Sequence, residues 1–270
     1  MSEPSLDLSV IIVSWNVRKL LDECLFSVWV ALNGLNAEVY VIDNASHDGS
    51  PQMVAQNYPA IHLIANPDNP GFGPANNQAL QICQGKYVLL LNPDTLVPPE
   101  TFHKLILFME AHPRAGLAGP EQRDGNGKIN FSNLVHWSPR ELVEYWIERL
   151  LSLGRPRTRL LFSQPRRVPI LNAGCWIIRQ AALAETGFFN EEMFLYGEEY
   201  DLCTRMRRAG WEIWFVRDVE IIHYRRQSMR QCSRLQEMRF FFQSMQTWLR
   251  KLYLEALCHD IQDSRYDSSK

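Results

Sequence analysis

The sequence predicts an α/β fold built on a mostly parallel central sheet flanked by helices. Three observations lead there. Short apolar runs (Leu8 to Trp15, Glu38 to Ile42, Ile61 to Ala65, Tyr87 to Leu91) alternate with stretches whose apolar residues recur at helical spacing. The connections between them are short, so each intervening helix has to carry the chain back for a parallel strand. The run Tyr87 to Leu91 is unbroken and apolar, too short to cross a membrane and suited to a strand buried on both faces.

In chain order, Leu8 to Trp15 is β-branched and apolar, a first buried strand. Arg18 to Leu32 follows as a helix whose core stripe is Leu20, Leu21, Cys24, Leu25 and Val28, stopped by Asn33-Gly34. Glu38 to Ile42 is the second strand. A polar turn, Asp43 to Ser50, leads to a helix at Pro51 to Tyr58 and a third strand at Ile61 to Ala65. Asn66 to Gly73 reads as a loop rich in Pro, Gly and Asn, and Pro74 to Gln84 as the helix before the central strand. Thr101 to Ala111 is a further helix, and Leu117 to Pro120 a strand ahead of the turn Asp124-Gly125-Asn126-Gly127.

The alternation lapses over 132–169. Glu141 to Leu153 is amphipathic (Leu142, Tyr145, Trp146, Leu150) and is followed by Arg155, Arg157, Arg159, Arg166 and Arg167. It suits either a surface helix packed on the core or a contact with an anionic membrane surface. Ile170 to Ile178 resumes the core, Gly187 to Gly197 is a loop, and Glu199 to Ala209 a helix. Glu212 to Val216 and Val219 to His223 are closing strands, and Met229 to Leu257 is a long polar–aromatic helix. Residues 1–228 thus form one domain with a helical insertion at about 138–167, and 229–270 a C-terminal helical extension.

The chain has 270 residues, 46% hydrophobic and 21% charged, enough for one large α/β domain with an appendage. A net charge of −2 gives no reason to expect nucleic acid. The six cysteines are widely spaced with no Cys-x-x-Cys pair, which argues against a zinc or redox motif and for a reducing compartment. The polar, acidic N-terminus is unlike a secretory signal, and no stretch reaches the roughly 18 apolar residues of a membrane span. A cytoplasmic protein is expected.

Chemistry-bearing residues cluster at strand ends. Asn92-Pro93-Asp94-Thr95 ends the central strand, because Pro93 has no N–H for the ladder. Ligands of open α/β sheets sit at the carboxyl ends of strands, and a carboxylate there suits a hard cation that holds a diphosphate. Asp94 equally suits a plain Asx turn. Asp43, past the strand ending in Ile42, can accept from a base or ribose, or serve the next helix, as Ser46 or Asp48 also can. Asn69-Pro70-Gly71-Phe72-Gly73 lets a backbone approach a ligand closely and leads to Asn76-Asn77. A plain loop-to-helix junction looks the same.

Taken together, five stretches carry a resemblance. They are Val10 to Asn16, Val41 to Ser50, Asn69 to Asn77, Leu91 to Thr95 and Gly197 to Cys203. In this order they resemble the family 2 glycosyltransferases of the GT-A fold, most closely the rhamnosyltransferase-like branch, over roughly residues 8 to 228. The resemblance implies an inverting transferase that uses a nucleotide-diphosphate sugar, with Mg²⁺ or Mn²⁺, and a glycan or lipid-linked acceptor.

It implies that Ser14, Asn16, Asp43, Asn44, Asp48, Asn69, Gly71 and Asn76 surround the donor, with Asp43 on the base or ribose. Asn92-Pro93-Asp94 stands where the family has Asp-x-Asp, so Asp94 is the metal carboxylate and Asn92 replaces the first acid. His223 falls where the family has a histidine near metal and diphosphate; Arg225 and Arg226 suit either a diphosphate contact or a solvated basic patch. Glu198-Glu199 occupies the Glu-Asp motif, which makes Glu199 the general base; Asp201 is an alternative base or a helix-positioning group. The loop Gly187 to Gly197, with Phe188, Phe189, Phe194 and Tyr196, is expected to line the acceptor site. One rival is a nucleotidyltransferase, which usually opens with a glycine-rich basic loop that Ser14 to Arg18 lacks. The other is a non-catalytic nucleotide-sugar or glycan-binding module, suggested by Asn92 and Glu199 departing from the strict motifs.

Overall fold

The computed structural model of the protein describes residues 6–129, 164–195 and 197–224, and part of 239–250. The first half follows the predicted alternation: β1 (Leu8–Ser14), α1 (Arg18–Ala31), β2 (Ala37–Asn44), α2 (Ser50–Asn57), β3 (His62–Asn66), α3 (Phe72–Leu80) and β4 (Tyr87–Leu91). Then come β5 (Thr95–Leu96), α4 (Thr101–Ala111), β6 (Ala115–Arg123), β7 (Arg166–Arg167), β8 (Cys175–Arg179), α5 (Gln180–Thr186), α6 (Glu198–Arg208) and β9 (Glu212–His223). The sheet runs β3-β2-β1-β4-β8-β6-β9-β5, with β7 pairing on β9.

Strands β3, β2, β1 and β4 are mutually parallel, as the short crossovers require. Past β4 the sheet is mixed. β8 inserts antiparallel between β4 and β6, while β6 and β9 are parallel to each other. The parallel half therefore ends at β4, and the first strand of the second half reads against it.

Alternation along the strands divides the core in two. Val10, Ile12, Leu89 and Leu91 face α1, α2 and α4 through Leu21, Val54, Phe102 and Leu105. Ile11, Val88 and Leu90 face α3, α5 and α6 through Ala75, Leu183, Leu202 and Met206. All five side chains of β4 are buried, as a strand covered on both faces demands.

The differences from the expected elements have local causes. β6 runs from Ala115 to Arg123 and so passes through Pro120. Its register against β9 shifts between Pro120 and Glu121, where the proline's missing donor is absorbed. The two expected closing strands are one strand, β9, and the break expected at 217–218 is the other side of that shift, between Val216 and Glu220. α3 starts at Phe72, ahead of Pro74, because proline is tolerated in a first helical turn. Residues 170–174 lie outside β8 and cross the sheet end as loop. The helix expected at 141–153 and most of the one expected at 229–257 lie outside the described residues, as do Tyr196, Arg225 and Arg226.

Candidate active site

The carboxyl ends of β1, β2 and β4 meet two long loops, and the sequence-flagged residues collect there. The loops after β1 and β2 are laced together. Asn16 donates its backbone N–H to Ser46 Oγ at 2.8 Å and accepts from His47 N at Oδ1 at 2.7 Å. Asp48 Oδ2 accepts from Arg18 N at 2.7 Å, and its Oδ1 takes both the N–H and the hydroxyl of Ser50. Burial alone would raise the Asp48 pKa, but these donors hold it below the ordinary range. Asn16 and Ala45 both adopt positive φ (51° and 58°), so the lacing holds two non-glycine residues in the left-handed region.

The loop after β3 is held in a similar way. Asn44 Nδ2 donates to Asn69 Oδ1 and Gly71 O, Asn66 Nδ2 donates to Asn44 Oδ1, and Gln78 Nε2 donates to Asn66 Oδ1. Asn76 is spent on its own helix, donating to Phe72 O at 2.8 Å. Gly71, at φ 100°, sits so close to the 187–197 loop that a Cβ there would lie 2.4 Å from Phe194 O. Only glycine suits both the angle and the gap. These carboxamides hold the loop in shape.

Some polar atoms in this region are left over. Ser14 Oγ and Asp43 Oδ1, like Gln78 Oε1, are buried without a hydrogen-bond partner, although Asp43 Oδ2 accepts from Ser46 N at 2.8 Å. Ser14 and Asp43 are paired across β1 and β2, so the two unsatisfied groups lie side by side at the strand ends. Leaving such groups unpaired costs roughly 1–3 kcal/mol each, which a bound ligand's polar edge would offset.

A second corner forms where the two halves meet. Asp94, three residues past the end of β4, is 4% exposed, and β5 pairs Thr95 with His223 of β9. His223 Nε2 lies 3.0 Å from Asp94 Oδ1 and 3.3 Å from Asn92 Nδ2. Its Nδ1 lies 2.7 Å from Gln122 Oε1 on β6. Gln122 was not among the expected site residues: the strand was expected to stop at Pro120, and the polar pair Glu121-Gln122 beyond it was the available signal.

The two acids of Gly197-Glu198-Glu199 sit in the first turn of α6, with Gly197 before them at φ 95°. Glu198 is buried, and its Oε2 has no partner. Glu199 is half-buried and accepts from Gly197 N at 3.2 Å. Burial raises the pKa of both, and the neighbouring Glu199 charge pushes Glu198 up further. Hydrogen bonds from the backbone at Gly197 and Ala173 offset part of the rise at Glu199. Ala173 precedes Gly174, whose carbonyl accepts Asn92 N at 2.9 Å, so one short loop links the Glu199 turn to the Asp94 corner.

Asp201 is placed differently. It is buried in an ion pair with Arg205 at 2.7 Å, and Arg205 also donates to the carbonyls of Thr186, Gly187 and Phe188. Of its two expected roles, this geometry favours the positioning one. The same loop is pinned by Asn77, which donates to Phe189 O and Glu191 Oε1. From the C-terminal side, Phe240 packs on Phe194 and Ser244 Oγ donates to Leu195 O at 2.9 Å.

The donor set fits a divalent cation. A neutral imidazole whose Nδ1–H is given to Gln122 carries a lone pair at Nε2, and a carboxylate oxygen 3.0 Å away repels it unless a proton or a cation intervenes. One carboxylate and one imidazole leave most of the coordination shell to diphosphate oxygens and water, the usual arrangement for Mg²⁺ beside phosphates. Among the described residues no group of three or more His, Cys, Asp or Glu side chains gathers around one point.

Comparison with known proteins agrees with this architecture. Residues 9–187 match the family described as Glycosyl transferase family 2. The N-acetylglucosaminyl-diphospho-decaprenol L-rhamnosyltransferase of Mycobacterium tuberculosis is 28% identical over 238 residues, covering 82% of this chain and 77% of that protein. The succinoglycan biosynthesis protein ExoO of Rhizobium meliloti is 24% identical over 264 residues, 96% of this chain and 72% of its own. Among solved structures, the mannosyltransferase PcManGT of Pyrobaculum calidifontis, in complex with GDP-Man and Mn²⁺, superposes with a TM-score of 0.60 at 20% identity. The match covers 85% of this chain and 60% of that one. TarS of S. aureus in complex with UDP gives 0.57 at 18%, over 78% of this chain and 60% of its own. The fold is GT-A, and the chain belongs to the family 2 glycosyltransferases.

Proposed function

We propose that this glycosyltransferase moves a sugar from a nucleotide-diphosphate donor to a hydroxyl of a glycan or lipid-linked acceptor, in one displacement that inverts the anomeric centre. The observation that carries the reading is the approach of Asp94 Oδ1 and His223 Nε2 to 3.0 Å, at the edge of the strand ends where Ser14 and Asp43 keep unpaired polar atoms. The L-rhamnosyltransferase relative supports a rhamnose-like sugar and a lipid-linked diphosphate acceptor, and PcManGT supports Mn²⁺. Such an acceptor would bring the protein to a membrane surface; among the described residues no helix is long and apolar enough to cross one.

In this reading Asp43 and Ser14 take the polar edge of the base or ribose, while the laced loops of Asn16, Asp48, Asn44 and Asn69 hold their shape. Asp94 and His223, with Asn92 beside them, would hold Mg²⁺ or Mn²⁺, which when bound supplies Lewis-acid stabilisation of the departing diphosphate. Glu199 takes the proton of the acceptor hydroxyl on the opposite face. Its raised pKa makes it a stronger base than an ordinary glutamate. One carboxylate suffices for a single displacement, whereas a route with retention would need a carboxylate nucleophile at the anomeric carbon. The 187–195 stretch, pinned by Asn77 and Arg205, forms the acceptor side. Arg226, expected at the diphosphate, keeps that role as a proposal.

The test is a panel of UDP-, dTDP- and GDP-sugars with Mn²⁺ or Mg²⁺ and polyprenyl-diphosphate or glycan acceptors. Nucleoside diphosphate release is followed, and the product's anomeric configuration is read by NMR. Metal-dependent release with inversion is expected. Retention, or turnover undiminished by EDTA, contradicts the reading.

A further inference from the structure

We infer that Gln122 is a positioning residue that fixes the tautomer of His223 and so opens its Nε2 towards Asp94. The inference rests on the metal-site reading above. Gln122 and His223 are 3% and 5% exposed, so water competes little for the bond between them. Gln122 lies on β6, whose parallel pairing with β9 sets Gln122 opposite Ile221, two residues before His223. A neutral imidazole has one N–H and one lone pair. Given to Gln122 Oε1 at 2.7 Å, the proton is at Nδ1 and the lone pair points from Nε2 to the Asp94 corner. With the opposite tautomer, Nε2–H would donate to Asp94 and close the pair off from a cation. The amide thus chooses between a closed Asp–His hydrogen bond and an open pair of ligands.

The seat of this amide is built for it. A Cβ on Gly174 would lie 2.7 Å from Gln122 Nε2 and 2.8 Å from Oε1. Gly174 has no positive φ, so what a side chain there would disturb is the seat of the Gln122 amide, not the backbone angle. The Gly174 carbonyl also takes Asn92 N, which places the amide's seat and the turn leading to Asp94 on one residue. Partners that orient a metal-ligating histidine commonly change metal affinity by about 10–100-fold.

The experiment uses the full chain with ¹⁵N-labelled histidine. Long-range ¹H–¹⁵N spectra, with His223 assigned by loss in His223→Asn, report which ring nitrogen carries the proton. Mn²⁺ affinity is measured separately by EPR in the presence of UDP or dTDP. The wild type is expected to show the Nδ1–H tautomer. Gln122→Leu should mix the tautomers and weaken Mn²⁺ by about 10–100-fold, while Gln122→Glu, which keeps an acceptor, restores both. Gly174→Ala, which crowds the amide without removing it, covers the case in which Gln122→Leu fails to fold and should shift the tautomer in the same direction. An Nε2–H tautomer in the wild type, or variants with unchanged tautomer and affinity, overturns the inference. If His223→Asn leaves Mn²⁺ affinity intact, the metal-site reading fails instead, and the tautomer alone judges what Gln122 does to the ring.

Discussion

The two halves of the sheet are built on different principles. From β3 to β4 every pairing is parallel, every crossover is short, and the strand ends form loops that hold each other by side-chain-to-backbone hydrogen bonds. From β8 to β5 the pairing is mixed, β6 and β9 slip register at Pro120, and loops are held by buried charge, above all Asp201–Arg205. The first half presents unpaired polar atoms to a ligand; the second presents a titratable pair, Glu198 and Glu199, and a histidine. Asp94 and His223 meet on the seam, so a metal held there would require both halves to be in place.

The comparison can be broken most severely at Glu199, the proposed base. Glu199→Gln should lower kcat by about 10²–10⁴-fold while nucleotide-sugar affinity, which the proposal assigns to the first half, changes little. Isothermal titration with a donor alongside turnover assays checks this, and a parallel loss of binding would undo the division of labour. Next in size is Arg205→Met, which takes the Arg205 partner from buried Asp201 and frees three carbonyls. Unfolding by urea should show a loss of about 3 kcal/mol, with the acceptor KM rising before the donor KM.

Gly71→Ala strikes the contact between the halves. Positive φ and the closeness of Phe194 O predict a loss of about 1–3 kcal/mol, read as a lower Tm. Asp48→Ala, confined to the first half, should cost about 1 kcal/mol, the usual loss of a capping side chain, since the Arg18 N–H it frees is near solvent. A larger penalty for Asp48→Ala than for Arg205→Met would reverse the ranking of hydrogen-bonded and charge-held loops.

A pH profile sharpens the same contrast. Glu199 acts as a base only when ionised, and burial has raised its pKa, so the acid limb of kcat/KM should lie above the range of an ordinary glutamate. The stability sign is the reverse. Glu198 binds its proton more tightly folded than unfolded, so its contribution to stability is complete at acid pH and is lost as pH rises through the folded-state value. Glu198→Gln should therefore gain stability relative to wild type as pH rises, measured by Tm across the range.

The same contrast explains what the sequence discloses. β1, β2 and β4 were legible because burial on both faces leaves unbroken apolar runs, and Asp43 and Asp94 were legible because they follow those runs directly. Gln122 was not, since its strand continues through a proline that normally ends one, and the bulge that absorbs Pro120 depends on β9, nearly a hundred residues away in sequence. Nor was the antiparallel insertion of β8 visible, because an apolar run such as Cys-Trp-Ile-Ile carries no mark of direction. Asp201 was ambiguous for a related reason: its partner Arg205 is one helical turn on, but the carbonyls that hold Arg205 in place come from another element.

The central claim is that Asp94 and His223 hold one metal ion across the seam. EPR titration of Mn²⁺ in the presence of a nucleoside diphosphate, for wild type, Asp94→Ala and His223→Ala, tests it directly. Weakened Mn²⁺ binding in both variants, with the nucleotide still bound without metal, is the predicted result. Wild-type Mn²⁺ affinity in either variant would contradict it.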